Sequence, residues 1–577
     1  MLNIINKKYV IYLVLILAAI VVTRGLFTSQ QLAGHDTAAY YVTQHQFHKN
    51  IAVGNVLPRW APDMRFGYGH PKLQFRPPLL HYLAEPFYAI SANPALSIHI
   101  AVILLVLIAG LGMFSCCKLY MKESAAMLGA IAYITFNYLL SDMYIRGAYY
   151  EVAAYAFMPW ILWGQASIFL TKTDNKKKKS QIIIIYALSW TALICSHPQI
   201  MVFFIPLALV HFFFTWNETR NNKAAIFAII ATFAGFMIAA PYCFVAWREL
   251  PFVRMELFYT GLEAYPQHFI SIKELLFETW PAQYKEYAYW DHLNRPRHLE
   301  MRGLNIWAIA TLILIPVFWF LRNSQKSEFK RNSIMFYLCF LGLLVLALPI
   351  SRGIWFELTP LHTFNFPWRV IAVASICIVI LAGLLLNKLF KDFKLSDKQI
   401  YSISLLLAIF MIIFTWNKTC GWKPLPNQFL NHTYSKHIGN NPGIPQQFYT
   451  PKWVNIYANV SAQSPIRCIS GTGNIKSIDK GVTKWVIKLN ATTASKMVLA
   501  HYYYPGWKMY TAANTEIKLS PFPVTGEISF DLAPGNHDLT LKFTNTPERT
   551  FANILFWLGM VVITILCIQS RRTLPAK

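Results

Sequence analysis

Residues 96–115 read LSIHIAVILLVLIAGLGMFS, an uncharged run that ends just before Lys118 and Lys122. About 20 consecutive apolar residues in a helix reach across a hydrocarbon core ~30 Å thick. The same texture recurs near 9–28, 124–141, 152–170, 181–196, 199–215, 224–245, 304–321, 334–350, 368–387, 400–416 and 551–569. The expected fold is mainly α, a polytopic membrane protein with about 12 transmembrane helices. The pair 181–196 and 199–215, joined through Ser196-His197-Pro198, reads either as two helices or as one re-entrant unit. Composition agrees with a membrane chain. Of 577 residues, 55% are hydrophobic and 14% charged, against roughly 25% charged in soluble domains.

The formal net charge of +26 would suggest nucleic acid on a soluble protein. Here the excess falls in short gaps between apolar segments, and no nucleic-acid partner is expected. The basic gaps hold Lys118 and Lys122; Lys172 and Lys176 to Lys179; Arg220 and Lys223; Arg322, Lys326, Lys330 and Arg331; and Lys388, Lys391, Lys394 and Lys398. Arg571, Arg572 and Lys577 follow the last segment. The long gaps alternate with these and mix both signs; 246–303 carries eight acidic and seven basic residues. Short basic loops mark the cytoplasmic side. Both termini are therefore expected in the cytoplasm, with the long gaps outside, in a multi-pass protein of the inner (cytoplasmic) membrane. Lys7 and Lys8 precede the run Tyr9–Val22, and no small-x-small cleavage site follows, so a retained first helix is expected.

Residues 417–550 change texture. EISFDL sets Ile528, Phe530 and Leu532 on one face, and HDLTLKF does the same for Leu539, Leu541 and Phe543. Turns such as Pro505-Gly506 and Pro534-Gly535-Asn536 punctuate these alternating runs, which read as strands. The expected organisation is a transmembrane domain, 1–416, with external loops 29–95 and 246–303; a C-terminal extracytoplasmic β-sandwich-like domain, 417–550; and a final helix with a basic tail, 551–577. Cys420 and Cys468 both fall in the β-rich part, on the oxidising side, where a disulfide between them is an option.

The first external loop is rich in chemistry-bearing residues: His35, Asp36, His45, His48, Arg59, Asp63, Arg65, His70, Arg76 and His81. Asp36 follows closely on the first helix and belongs near the membrane surface. A carboxylate there can take a proton from a hydroxyl or hold a cation; the plainer reading is a solvated or salt-bridged acid. His45 and His48 read as metal ligands or as surface and packing residues. In DMYIRGAYYE, from Asp142, Arg146 and Glu151 either pair to lock a turn or leave Arg146 to clamp a phosphate. In HTFNFPWR, from His362, Arg369 is either an interfacial anchor or a second anion contact. Trp280 and Trp290 suit a sugar face or a membrane interface equally.

The order GHD (from Gly34), LPRWAPDMRFGYGHP (from Leu57), IRGAYYE (from Ile145) and FNFPWR (from Phe364) resembles bacterial membrane proteins called 6-pyruvoyl-tetrahydropterin synthase-related, and also YfhO-type proteins. YYPGWKMYTA (Tyr503 to Ala512) and LAPGNHDLTLKF (Leu532 to Phe543) are similar to the β module that closes many YfhO-like chains. That group is similar to the GT-C glycosyltransferase superfamily. The resemblance implies a GT-C-like membrane glycosyltransferase moving a sugar from a polyprenyl-phosphate donor to an extracytoplasmic acceptor, which would be an envelope glycan, lipid or protein. It implies that Asp36 is the catalytic base and that Arg146, Arg369 or Arg59 holds the donor phosphate, with His35, Asp63 and Glu151 in support. The superfamily often has two adjacent acids where this chain has His35-Asp36, which leaves a divalent metal open; no other cofactor is implied. Two rival readings are a lipid or polysaccharide transporter or flippase, and a non-catalytic envelope assembly protein. A spatial criterion separates them: an enzyme needs Asp36, Arg146 and Arg369 to converge on one cavity.

Overall fold

The computed structural model describes residues 2–32, 34, 36–171, 176–255, 264–277, 304–321, 328–358, 361–362, 364–419, 449–455 and 464–572. Among them, nine helices are long and apolar enough to cross a membrane, and Tyr9–Val22 and Ile306–Phe320 are shorter apolar helices. The chain is a multi-pass membrane protein built mainly of helix, with a β domain near its C-terminus. The helices that carry the argument are α1 (Leu2–Val22), α2 (Thr37–Ala52), α3 (Lys72–Phe75), α4 (Leu79–Ser91), α5 (Pro94–Cys117), α6 (Glu123–Ile134), α7 (Asn137–Ser141), α8 (Tyr149–Leu170), α9 (Lys176–Ile194), α10 (Pro198–Thr219) and α11 (Asn222–Glu249). After α12 (Ile272–Phe277), α13 (Ile306–Leu321), α14 (Glu328–Ala347) and α15 (Arg352–Glu357) come α16 (Val370–Asp392), α17 (Asp397–Thr419) and α18 (Pro547–Arg572).

Local chemistry sets several boundaries. Asn93 caps α5, its side chain accepting from the Leu96 amide at 2.9 Å, with Pro94 in the first turn. His197 caps α10 in the same way, accepting from the Ile200 amide at 3.3 Å, with Pro198 next. Ser196-His197-Pro198 therefore separates two helices of 19 and 22 residues rather than bending one re-entrant unit. α6, α8 and α16 are apolar on all sides and lie at the centre of the bundle, as such helices must. α17 and α18 turn Phe410, Phe414, Trp557 and Val561 outward. Residues of the short basic gaps pair with acids of neighbouring segments, Lys122 with Asp397 at 3.0 Å and Arg331 with Glu218 at 2.7 Å.

The first long gap differs from the expected loop. It is largely helical, because α2 buries Tyr40 and Tyr41 and α4 buries Leu80 and Ala84 against the bundle. Residues 57–71 between α2 and α4 form a tight loop closed by a bridge between Ala61 and His70. Gly69, at φ +81°, lets the chain pass flat against Trp60; a Cβ there would meet the indole Nε1 at 2.3 Å.

The β domain is two packed antiparallel sheets, β1-β4-β8-β7 and β2-β3-β9-β5-β6. The strands are β1 (Ile466–Ser470), β2 (Gly473–Lys480), β3 (Lys484–Ala491), β4 (Ser495–Tyr502), β5 (Trp507–Thr511), β6 (Glu516–Ile517), β7 (Ser520–Pro521), β8 (Glu527–Leu532) and β9 (Gly535–Phe543). Ile528, Phe530 and Leu532 of β8 face Leu539 and Leu541 of β9 in a buried core, as the alternation predicts. The domain is joined to the first loop, not merely tethered. Trp60 enters its core between His501, Tyr504 and Trp507, and the Tyr502 amide donates to the Tyr68 carbonyl at 2.9 Å. A buried Arg549–Glu249 pair at 2.7 Å, with the Tyr504 hydroxyl donating to Glu249 at 2.8 Å, fixes the domain to α11 and α18. Cys468 lies on β1, and the expected disulfide cannot be followed because Cys420 is outside the described residues.

Candidate functional site

Three of the sequence motifs meet. α7 runs into a π-helical turn, Asp142–Arg146, that ends at Gly147 with φ +61°. Gly34 lies directly on this turn, and a Cβ on Gly34 would stand 3.0 Å from the Gly147 Cα. The Asp36 amide donates to the Arg146 carbonyl at 2.9 Å. Asp36 itself is exposed, at the N-terminus of α2, and its side chain makes no cap hydrogen bond. His35 is outside the described residues. A Cβ on Gly147 would stand 2.4 Å from Thr37 Cγ2, so Gly147→Ala combines a left-handed backbone with a steric clash. The substitution should cost about 2–4 kcal/mol, read as a lower melting temperature in detergent. An unchanged melting temperature would contradict this packing of GHD on IRG.

The IRGAYYE and FNFPWR motifs meet through charge. Glu151, buried at the start of α8, accepts from Arg146 at 2.9 and 2.7 Å and from Arg369 Nε at 2.8 Å. Tyr138 also donates to it, Asp142 takes a further bond from Arg146, and Arg369 donates to Gln199. The Arg146 guanidinium lies 4.3 Å over the Trp368 ring. Arg146 and Arg369, two of the three arginines expected to hold phosphate, are thus taken up by carboxylates. A buried guanidinium is costly without such a partner, so the turn-locking reading describes their geometry.

The spatial criterion is met in one part only. Asp36, Arg146 and Arg369 are neighbours, yet none of them lines a large cavity found among the described residues. That cavity, of about 750 Å³, lies between α5, α8, α9, α11, α18 and the first loop, within the usual range of ligand sites at roughly 300–1,000 Å³. Its walls are apolar, with Leu57, Leu73, Ile108, Phe157, Leu188, Ile238 and Phe556 among them. Arg59 is a charged member of the lining and only 5% exposed. Its Nη1 donates to the Pro241 carbonyl at 3.0 Å and to Gln74, while Nη2 has no hydrogen-bond partner among the described residues. Burial, with Arg549 nearby, lowers this guanidinium to about 10. Of the three arginines expected at a phosphate, Arg59 stands apart from the other two and beside the apolar cavity.

Sequence reasoning missed Lys72. It is 1% exposed, and its Nζ has no hydrogen-bond partner among the described residues. Burial, Arg76 and Asp36 are its main electrostatic influences, and the amine is held well below its usual range. The guanidinium of Arg76 lies 6.0 Å from the Tyr150 ring and 5.7 Å from the Tyr449 ring. Burial alone would lower Arg76, but Tyr449, Tyr150, Tyr40 and Asp36 outweigh it and hold it above its usual range. His81 donates to or accepts from Gln44 at 2.9 Å and Tyr150 at 2.7 Å, and burial with Lys72 and Arg76 lowers it to about 3. The signal for Lys72 was its spacing: two cations four residues apart, between Pro71 and Pro77, with no acid nearby in the chain.

The remaining residues are structural in their contacts. Asp63 accepts from Lys49 at 2.5 Å and Gln46 at 2.8 Å. Burial would raise its carboxyl, but these bonds hold it below the usual range. His45 contacts Tyr88 at 2.7 Å and His48 contacts Glu85 at 2.7 Å, so both face α4. Among the described residues, no three His, Cys, Asp or Glu side chains gather as a metal site. Trp280 and Trp290 fall outside the described residues.

Comparison with known proteins gives a family and some distant likenesses. The family of unknown function DUF6541 matches residues 87–396. An uncharacterized protein of Lactococcus lactis subsp. cremoris is 24% identical over 228 residues, 38% of this chain and 36% of that protein. The chain thus matches about a third of the length of that curated relative. Among solved structures, the apo oligosaccharyltransferase of Archaeoglobus fulgidus is 15% identical, with a TM-score of 0.46, over 77% of this chain and 61% of that one. ArnT from Cupriavidus metallidurans, bound to undecaprenyl phosphate, is 12% identical, with a TM-score of 0.41, over 74% of this chain and 68% of that one.

Proposed function

The chain belongs to the DUF6541 family of unknown function, and on that premise we propose that it is a GT-C-like membrane glycosyltransferase. It takes a sugar from a polyprenyl-phosphate donor and passes it to an acceptor on the extracytoplasmic side of a bacterial inner membrane, with both termini in the cytoplasm. The order of GHD, IRGAYYE and FNFPWR, and the terminal β module, support the YfhO-like kinship. The observation that carries the reading is the apolar cavity with a buried, incompletely partnered Arg59 beside it. A long isoprenoid chain suits such walls, and a guanidinium suits the phosphate at its head. Asp36 accepts the proton of the acceptor hydroxyl as that oxygen attacks the anomeric carbon. The bond from this carbon to the phosphate oxygen breaks, and the polyprenyl phosphate leaves with the electron pair. Arg59 stabilises the charge that develops on the leaving group.

The test is an assay of membranes, with and without the protein, for transfer from labelled polyprenyl-phosphate sugars. Arg59→Gln should raise KM for the lipid-linked donor by roughly ten- to a hundredfold, from the loss of a charge-assisted contact. No transfer above protein-free membranes for any donor in the panel would sink the reading. A transporter reading would be favoured instead if the protein moved polyprenyl-phosphate sugar across the bilayer with no acceptor modified.

A further inference from the structure

α3 is only one turn long, yet it presents two different chemistries. Leu73 and Gln74 face the apolar cavity, with Gln74 bonded to Arg59. Lys72 and Arg76 do not line that cavity. They lie with Asp36, Tyr40, Tyr150 and Tyr449, and Tyr40 and Tyr150 pack at 4.6 Å between ring centroids. The electrostatic neighbours of Arg59 are Arg549, Glu249, Tyr82 and Tyr504, a separate set. There are therefore two cationic stations, one on each side of α3. At the second, Asp36 is the carboxylate that acts on both Lys72 and Arg76. The Lys72 amine is buried without a hydrogen bond, and Arg76 Nε is unpartnered as well. Native interiors rarely leave such groups unmet, and a lone buried charge costs several kcal/mol. An arriving oxyanion would satisfy both donors.

We infer that Lys72 and Arg76 form a second oxyanion pocket, beside Asp36 and apart from Arg59, that takes a phosphate or carboxylate group carried by the acceptor. The inference rests on the transferase reading above and adds the acceptor's chemical class to it. The pocket holds the acceptor by its charge and leaves its hydroxyl to Asp36. Tyr40 and Tyr150 beside it are buried, and low polarity strengthens charge pairing.

The experiment uses the full chain in detergent micelles with two probes, inorganic phosphate and a short-chain polyprenyl phosphate, titrated by calorimetry. Lys72→Met should weaken inorganic phosphate at least tenfold and leave polyprenyl phosphate binding unchanged. Arg59→Gln should do the reverse. Lys72→Met should fold, since exchanging an unpaired buried amine for an apolar chain of similar length removes a cost; its melting temperature in the absence of phosphate checks this. Phosphate binding by folded Lys72→Met equal to that of the unaltered chain would overturn the inference. So would loss of polyprenyl phosphate binding in Lys72→Met but not in Arg59→Gln, because the pocket would then belong to the donor. If Arg59→Gln leaves polyprenyl phosphate binding intact while Lys72→Met loses only inorganic phosphate, the donor assignment falls and this pocket stands.

Discussion

Asp36→Asn should abolish transfer and leave the fold intact. Two features make this substitution informative. Asp36 stands at the N-terminus of α2 without a side-chain cap bond, and its amide, not its carboxylate, joins it to the Arg146 carbonyl. Asparagine serves a helix N-terminus about as well as aspartate, so the variant should be recovered folded, at a cost limited to the charge it removes from beside Lys72 and Arg76. The amide cannot accept the acceptor's proton. Loss of a positioned general base typically costs about 10²–10⁴ in rate, which would push transfer to or below the limit of a radiolabel assay. The loss should appear in kcat while the donor's KM holds, because Arg59 is on the other side of α3. Normal turnover in Asp36→Asn would end the assignment of this carboxylate. Loss of the folded protein together with activity would instead mark Asp36 as a structural acid.

Much of the architecture can be read from periodicity alone. Runs such as 96–115 declare themselves because lipid demands about 20 apolar residues in a helix, and the strands of the β domain declare themselves by alternation. The first external segment does not. α2 mixes His45, Gln46 and His48 with Tyr40, Tyr41 and Phe47, since its polar residues bond to α4 and to the loop that follows rather than to water. A helix that buries both kinds of side chain has no clean polar face to announce it. The site is legible to the same degree. Motif order brings Asp36 near Arg146 and Arg369 because the glycines, Gly34 and Gly147, leave space for backbone contact. Which arginine is spent on a carboxylate is a three-dimensional fact. Arg369 and Glu151 are 218 residues apart, and nothing in either motif signals the pairing. The role of Trp60 in the β-domain core is hidden for the same reason.

The second large effect is expected at Glu151. It is buried and accepts from Arg146, Arg369 and Tyr138 at once, tying α8, the π-helical turn and the start of α16 together. With Asp142, the two carboxylates balance the two guanidiniums. Glu151→Gln keeps the volume but leaves a net positive charge inside the bundle. Breaking a buried pair in this way costs about 3–5 kcal/mol, a large share of the roughly 5–15 kcal/mol that holds a domain. The variant should therefore be recovered poorly from membranes and melt well below the unaltered chain. The paired change Glu151→Gln with Arg369→Gln restores the charge balance and should cost less than Glu151→Gln alone, with a coupling of about 0.5–3 kcal/mol. That outcome separates a structural lock from a phosphate clamp. If Arg146 and Arg369 served mainly to hold donor phosphate, Glu151→Gln would release them to bind it, and the donor's KM would fall with the melting temperature unchanged. The short distances from Glu151 to both guanidiniums favour the lock. The GHD segment, whose Asp36 amide hangs on the Arg146 carbonyl, would then owe its position to an ion pair that never touches substrate.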